Sequence, residues 1–550
     1  MSKRIIVQIE GMHCADCARR LKEALGNIEG VEEVDIPDWR TKKGTLVIDE
    51  NLNIDDILKG IERSGYRGTV TGQEPFESIK EREKKDYDLL IIGGGSAAFA
   101  AAIKAAELGA NVGIVEESTI GGTCVNVGCI PSKFLIRAAE IYHWASHPRF
   151  AGLKAAPLSL NWKELVDQKE KLVNSLRQSK YIHLLDVYPQ ISLIRGKARL
   201  AQGNRVIIGD KTYSPRKILI ATGSSPSIPP IPGLKETGCL DSTTALDLKT
   251  LPASLAVIGA GAIGLELGQM FSRFGVKVVL LEALPAIAMA EEPEIRDSLH
   301  RYLEEEGIEI FTHTQILRVE KKGSKHKRLS VQKEGKVIEM EVEQILAATG
   351  RVANTNGLGL EEVGVKVTNR GAILVDEFLR TTNPEIYAAG DCASLPQFVY
   401  VSAYTGGVAA ENAISGKNRA IDLSSLPRVT FTDPQIASVG LTEDQAKEAG
   451  YSTIVTLLPI KEVPKAIVSL DSRGLVKLVA EEKTGRLIGA HVLAAAAGDV
   501  IEEAVLALRH GLTYQDIIEA LHPYLTMAEA FKLAALTFKK DVGRLSCCAT

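Results

Sequence analysis

Six of the eight cysteines in this 550-residue chain stand as close neighbours, Cys14/Cys17, Cys124/Cys129 and Cys547/Cys548; Cys239 and Cys392 are isolated. Thiolates are nucleophiles and ligands for soft metals, and a thiol pair can carry two electrons. The opening MSKRIIVQIEG alternates like a strand and lacks the apolar run of a secretory leader. The expected compartment is therefore the cytoplasm, where paired cysteines point to redox exchange or metal binding, not to structural bridges. Cys239 and Cys392 read as small buried hydrophobes.

Each pair has its own surroundings. Cys124 and Cys129 lie in GGTCVNVGCIPSK, residues 121–133, where two glycines precede the pair and a proline opens a helix behind it. A thiolate near a helix N-terminus and a cation has a lowered pKa, and serves as nucleophile or metal ligand. Cys547 and Cys548 are vicinal, a poor arrangement for bridging each other but a natural one for a thiophilic ion. GMHCADCA, residues 11–18, sets Cys14 and Cys17 around a helix start after a first strand, both available to one ion. His13 reads as loop surface.

The elements that must position these residues are also legible. DLLIIGGGSAAFAAAIKAAELGANVGIVEES is a buried strand, the turn Gly93-x-Gly95-x-x-Ala98, a helix, and a second strand ending at Glu116. Such a turn lets backbone N–H groups approach a pyrophosphate at a helix N-terminus, and the acid accepts from a ribose hydroxyl. The unit recurs as Gly259-x-Gly261-x-x-Gly264 with Glu282. Each copy is followed downstream by Ala-Thr-Gly, ending at Gly223 and Gly350. Two dinucleotide sites are expected. Glu282 would repel a 2′-phosphate and no arginine immediately follows it, so NADH should serve at least as well as NADPH.

The chain divides accordingly. Residues 1–70 read as a ferredoxin-like βαββαβ unit, and 71–86 as a charged linker able to reach about 50 Å. From Tyr87 strands and helices alternate, the sign of parallel α/β layers. One nucleotide-binding domain is expected over 87–235 and 358–426, a second over 236–357, and a C-terminal α+β domain that makes a dimer interface over 427–550. The expected class is α/β, with two Rossmann-like domains. Net charge is −4, which gives no general attraction for nucleic acid. The longest charge-free stretch, Cys392 to Ala410, is too polar to span a membrane.

Residues 88–540 resemble the flavin disulfide reductases, through GGTCVNVGCIPSK and the later TTNPEIYAAGDCA. The resemblance implies FAD, held by the first turn with Gly122, Thr123, Gly390 and Asp391. It implies that Cys129 lies near the flavin and Cys124 faces substrate, with Lys133 near the flavin and Glu266 its acidic partner. One departure is in LHPYLTMAEA: aligning Glu529 with the family's acid puts Tyr524 where the family has a catalytic histidine. A tyrosine of pKa near ~10 is a poor proton shuttle but can orient a metal thiolate. A register slip of two would put His522 there instead.

GMHCADCA in turn resembles the loop of heavy-metal-associated domains. The whole set resembles the mercuric reductase branch of the family. That resemblance implies a homodimer in which Cys547 and Cys548 reach the partner's site, and a second active-site tyrosine at Tyr181. It implies thiol-bound Hg(II) as substrate, passed from Cys14 and Cys17 through the tail to Cys124 and Cys129. The competing readings are a dihydrolipoamide dehydrogenase-like disulfide reductase and a metal chaperone with a degenerate core. Tyr524 and the terminal cysteines speak against the first, and the intact nucleotide turns against the second.

Overall fold

The computed structural model describes residues 2–13, 15–36, 41–49, 51–76, 86–155, 158–541 and 543. The chain forms two compact units, 1–85 and 86–550. Cys14, Cys547 and Cys548 lie outside the described residues.

In the first unit, alternation along β1 (Ser2–Glu10) turns Ile5, Val7 and Ile9 into the core. Helical spacing does the same for Leu21 and Leu25 of α1 (Ala15–Gly26). Strands β2 (Val31–Asp35) and β3 (Lys43–Asp49) are followed by α2 (Ile54–Arg63), whose first turn is capped by the Asn53 side chain accepting from the Asp55 N–H. With β4 (Arg67–Phe76) the sheet order is β2-β3-β1-β4, the expected βαββαβ sandwich. β4 corrects one boundary. Residues 71–76, assigned to the linker on composition, continue as strand, with Gly72 opposite Ile6 and Phe76 opposite Ser2 beyond a bulge. Backbone pairing to β1 holds this stretch, so its polar composition did not reveal it.

The second unit is built on two parallel sheets and a five-stranded antiparallel sheet, with three smaller antiparallel sheets among the described residues. β5 (Leu89–Ile92) is buried at every position, as the central strand of a covered parallel sheet must be. It lies between β6 (Val112–Glu116) and Lys217–Ile220, with β7 (Ile191–Arg195) and Ile386–Ala388 at the edges. α3 (Ser96–Glu107) is nearly all alanine on its buried face. That lets helix Val399–Ser415 approach so closely that a Cβ at Gly406 would sit 2.2 Å from the Ala97 carbonyl oxygen. The second parallel sheet runs in the order Glu309–Phe311, Lys277–Leu281, Ser254–Ile258, Gln344–Ala347. The C-terminal domain is a five-stranded antiparallel sheet under helices Ala497–His510 and Glu529–Leu536. Two Rossmann-like layers plus a C-terminal α+β domain is the class the sequence announced.

A buried charge network joins these parts. Asp433 accepts from the Trp144 indole at 2.9 Å, from Arg273 at 2.9 Å and from Arg473 at 2.6 Å. Gln269 brackets the same residue, accepting its N–H at 2.8 Å and donating to its carbonyl at 2.9 Å.

Candidate redox site

α4 (Gly122–Val127) and α5 (Cys129–Ser146) meet at Gly128, and this junction carries the thiol pair. Gly121 and Gly122 have φ of +104° and +64°, and a Cβ on Gly122 would come 2.6 Å from the Cα of Gly95. Only glycine lets the redox loop touch the glycine turn this closely. Cys129 is the first residue of α5, where unpaired N–H groups and the helix dipole favour an anion. Both cysteines are free thiols, and the Cys124 thiol donates a hydrogen bond to Cys129. That bond, with help from the Lys133 charge, draws the Cys129 thiol down to about 6 against the cost of burial. The same bond pushes the Cys124 thiol up, and burial adds to it. The pair is thus divided into a thiolate at Cys129 and a proton-bearing thiol at Cys124.

Lys133 stands one turn along α5. Its ammonium is 2.6 Å from Glu266 and 4.7 Å from the centre of the Phe431 ring. Glu266 also accepts the Phe431 N–H at 2.9 Å. Redox helix, second nucleotide domain and C-terminal domain therefore converge on this ion pair.

Beside the thiols lies a cavity of about 990 Å³, bordered by Gly93–Gly95, Glu116, Gly122–Cys124, Gly223 and Gly390–Asp391. Its chemistry fits a dinucleotide. Gly95 begins α3 with no side-chain cap, so the first N–H groups of the helix are left for a ligand. A Cβ on Gly94 would meet the Glu116 carboxylate at 2.8 Å. Glu116 is held by the Ser118 N–H at 2.7 Å and hydroxyl at 3.0 Å. Ala98 is buried under the same turn, and Thr123 lines the cavity. At the other end Asp391 accepts from Ser224 at 2.7 Å and Ser402 at 3.2 Å, and Arg351 donates to Ser224 at 2.8 Å. Sequence reasoning missed Ser224, Ser402 and Arg351. Arg351 directly follows the Ala-Thr-Gly ending at Gly350 and could have been noticed; the serines gave no signal.

The three glycines of the second turn do not border this cavity, although Ile263 between them does. Gly259 has φ of +98°, and a Cβ on Gly264 would come 1.9 Å from the Gly259 carbonyl oxygen. Gly261 begins helix Ala262–Arg273 without a side-chain cap. Glu282 accepts the Ala260 N–H at 2.7 Å and the Leu284 N–H at 2.9 Å. Gly350 takes φ of +101° after its strand.

Tyr181 sits on a π turn, Gln178–Ile182, that interrupts the helix begun by α6 (Trp162–Arg177). Such bulges recur at functional sites because they redirect one side chain. Here the ring packs edge-on to Phe99 at 4.9 Å and lies 3.6 Å from where a Gly121 Cβ would be. Burial raises the phenol, a bond to Ser96 opposes it, and the neighbouring thiol pair adds to the rise. Tyr524 is exposed and does not line the thiol cavity of its own chain. His522 is fixed in its own fold: Nε2 lies 2.8 Å from Glu503 and Nδ1 3.1 Å from the Ala520 carbonyl. Both ring nitrogens are thus engaged within this chain.

Cys17 is buried against the core of the first unit. Among the described residues no group of three or more His, Cys, Asp or Glu side chains is placed to hold a metal ion. Cys392 is buried and bonds the Ile220 carbonyl, whereas Cys239 is half-exposed, short of the burial expected for it.

Fold and site define a pyridine nucleotide-dependent flavoprotein oxidoreductase with a thiol pair. The pyridine nucleotide-disulphide oxidoreductase model matches residues 87–406, its dimerisation domain 426–535, and the heavy-metal-associated domain 6–67. The chain is 44% identical over 544 residues to mercuric reductase of Lysinibacillus sphaericus, covering 99% of both chains. It is 44% identical to that of Staphylococcus aureus, covering 99% of this chain and 98% of the relative. The chain belongs to the mercuric reductase family of pyridine nucleotide-disulphide oxidoreductases. Among solved structures it is similar to the HOCl-induced flavoprotein disulfide reductase RclA of Escherichia coli in its Cu(II) complex. That match has a TM-score of 0.74 and 31% identity, covering 83% of this chain and all of RclA. Family membership brings FAD and a pyridine nucleotide. Among the described residues no helix is long and apolar enough to cross a membrane.

Proposed function

We propose that this protein reduces thiol-bound Hg(II) to elemental mercury with electrons from NADH or NADPH. The observation that carries the reading is the divided thiol pair with Tyr181 beside it, while the C-terminal histidine is locked away by Glu503. A disulfide reductase needs a mobile proton shuttle at its thiols; a metal reductase needs one thiolate to begin the exchange, a second thiol that gives up its proton to the departing thiolate as it binds, and an orienting group.

FAD would be held by Gly93, Gly95, Ala98, Glu116, Gly122, Thr123, Gly223, Gly390 and Asp391, and when bound it stores the two electrons of a nicotinamide hydride. Gly259, Gly261, Gly264, Glu282 and Gly350 would hold the nicotinamide nucleotide. Lys133, fixed by Glu266, places a positive charge at the thiols. Cys124 and Cys129 displace the incoming thiols from Hg(II) one at a time, so the ion is never released to water. Two electrons then convert the dithiolate-bound ion to Hg(0) and leave both thiolates on the protein. The balance is NADH + Hg(SR)2 + H⁺ → NAD⁺ + Hg(0) + 2 RSH. Tyr181, and Tyr524 of a second copy, orient the metal during transfer. Cys14 and Cys17 collect it, and Cys547 and Cys548 deliver it to the other protomer. A homodimer suits the matched dimerisation domain and its exposed apolar side chains, Leu506, Leu521 and Leu525 among them.

The test is nicotinamide oxidation with a Hg(II)–thiol complex beside lipoamide and oxidised glutathione. Rapid turnover of either disulfide, with mercury only inhibiting, would favour the disulfide reductase. The carboxylate of Glu282 supports NADH; a kcat/KM at least about tenfold higher for NADPH would overturn that preference.

A further inference from the structure

Strand Leu475–Glu481 of the C-terminal domain is buried along nearly its whole length, yet a lysine occupies its middle. The Lys477 side chain is only 4% exposed and is met by Glu292 at 3.1 Å, Glu294 at 3.0 Å and Glu443 at 2.9 Å. A buried ammonium requires such company. Two of the three carboxylates belong to the second nucleotide domain, at the start of helix Pro293–Glu305. Glu292, 2% exposed, also accepts the Glu443 N–H at 2.6 Å. Flanking groups are His491, opposite Lys477 in the sheet, and Arg428, 3.6 Å from Glu291.

Residues 282–292 run from the second glycine turn to this knot. Glu282 at one end takes the Ala260 N–H at 2.7 Å, and midway the Ala288 N–H donates to the Ala260 carbonyl at 3.0 Å. Both backbone groups of the residue between Gly259 and Gly261 are thus clasped by this one segment. Ala288 makes its contact with φ of +45°, a conformation a Cβ disfavours. Strain of that kind persists only where the surroundings over-determine the backbone. Buried Ile287 precedes Ala288, and the Lys477 knot closes the segment four residues beyond it.

We propose that Lys477 is a positioning residue for the nicotinamide nucleotide: from the C-terminal domain it holds the strained segment that fixes the glycine turn. The inference rests on the reading of Gly259–Gly264 as the nucleotide turn.

The test is NADH binding to the flavin-loaded enzyme by fluorescence titration, with steady-state kinetics alongside. Lys477→Met should weaken NADH binding about tenfold and raise KM more than it lowers kcat. Lys477→Arg should keep most of the affinity. Ala288→Gly added to Lys477→Met should recover about fivefold, since glycine adopts the left-handed conformation without the alanine's cost; a purely structural loss would not be eased there. If Lys477→Met does not fold, Glu294→Gln gives the milder form, with about threefold weaker binding expected. NADH affinity within twofold of the unmodified enzyme in the folded variant overturns the proposal, as does a loss that Ala288→Gly leaves untouched. Gly264→Val, whose side chain would strike the Gly259 carbonyl, separates the two readings: undiminished NADH binding there means the turn itself was misread.

Discussion

Cys129 should be an anion at neutral pH and Cys124 should not. With the Cys129 thiol drawn down to about 6, the anion predominates at pH 7, where a thiol left at its ordinary value would be almost wholly protonated. The shift is downward, so the anion is present above about 6 and is lost as pH falls through that value. The reduced holoenzyme, titrated by ultraviolet thiolate absorbance with Cys129→Ser as the blank, should show one step near pH 6. Lys133→Met removes a cation that supports the anion but is itself one-third exposed. The step should therefore rise by about one pH unit, the low end for a nearby opposite charge. Cys124→Ala should raise it further, because the hydrogen bond from that thiol is the largest contribution and alanine has no donor to replace it. A step near pH 8–9 in the unmodified enzyme, or one indifferent to both substitutions, would refute the division of the pair.

Other outcomes follow from the same geometry. Asp433→Asn removes one of the two carboxylates that Arg273 and Arg473 share, Glu306 being the other, and should cost about 2 kcal/mol by urea denaturation; less than about 1 kcal/mol would contradict the network's weight. Tyr181→Phe should cut mercury turnover about tenfold, roughly one hydrogen bond to a charged centre, while flavin reduction by NADH continues at its usual rate. Equal loss in both steps would assign Tyr181 to the flavin. His522→Gln should leave mercury turnover intact and cost about 1 kcal/mol of stability at low pH. The Glu503 carboxylate raises the His522 pKa, so the pair's contribution is full below the ordinary histidine value and fades as pH rises past the raised one. Loss of turnover in that variant would restore His522 as the proton shuttle.

The parts of the site that were legible in the sequence are those with local rules. Gly93 and Gly122 must be glycine for two backbones to touch, and the continuous apolar run of β5 is what a covered parallel strand requires. Cys124 and Cys129 declared themselves by spacing. What sequence could not reach is set by pairing between distant segments. Asp391 owes its setting to Ser224 and Ser402, 167 and 11 residues away. His522, in a loop, is bonded to Glu503, 19 residues earlier on helix Ala497–His510. β4 extends past its apolar stretch because β1 pairs with it, and composition carries no trace of a partner. The π turn under Tyr181 reads as ordinary helix in any periodic count.

The central claim is that the electrons end on the metal. The direct measurement is elemental mercury swept from a sealed reaction of purified enzyme, NADH and a Hg(II)–thiol complex, counted against NADH consumed. The account requires one Hg(0) for each NADH, abolished by Cys124→Ser or Cys129→Ser. NADH oxidation that leaves the mercury bound as Hg(II), or mercury vapour undiminished in both cysteine variants, would contradict it.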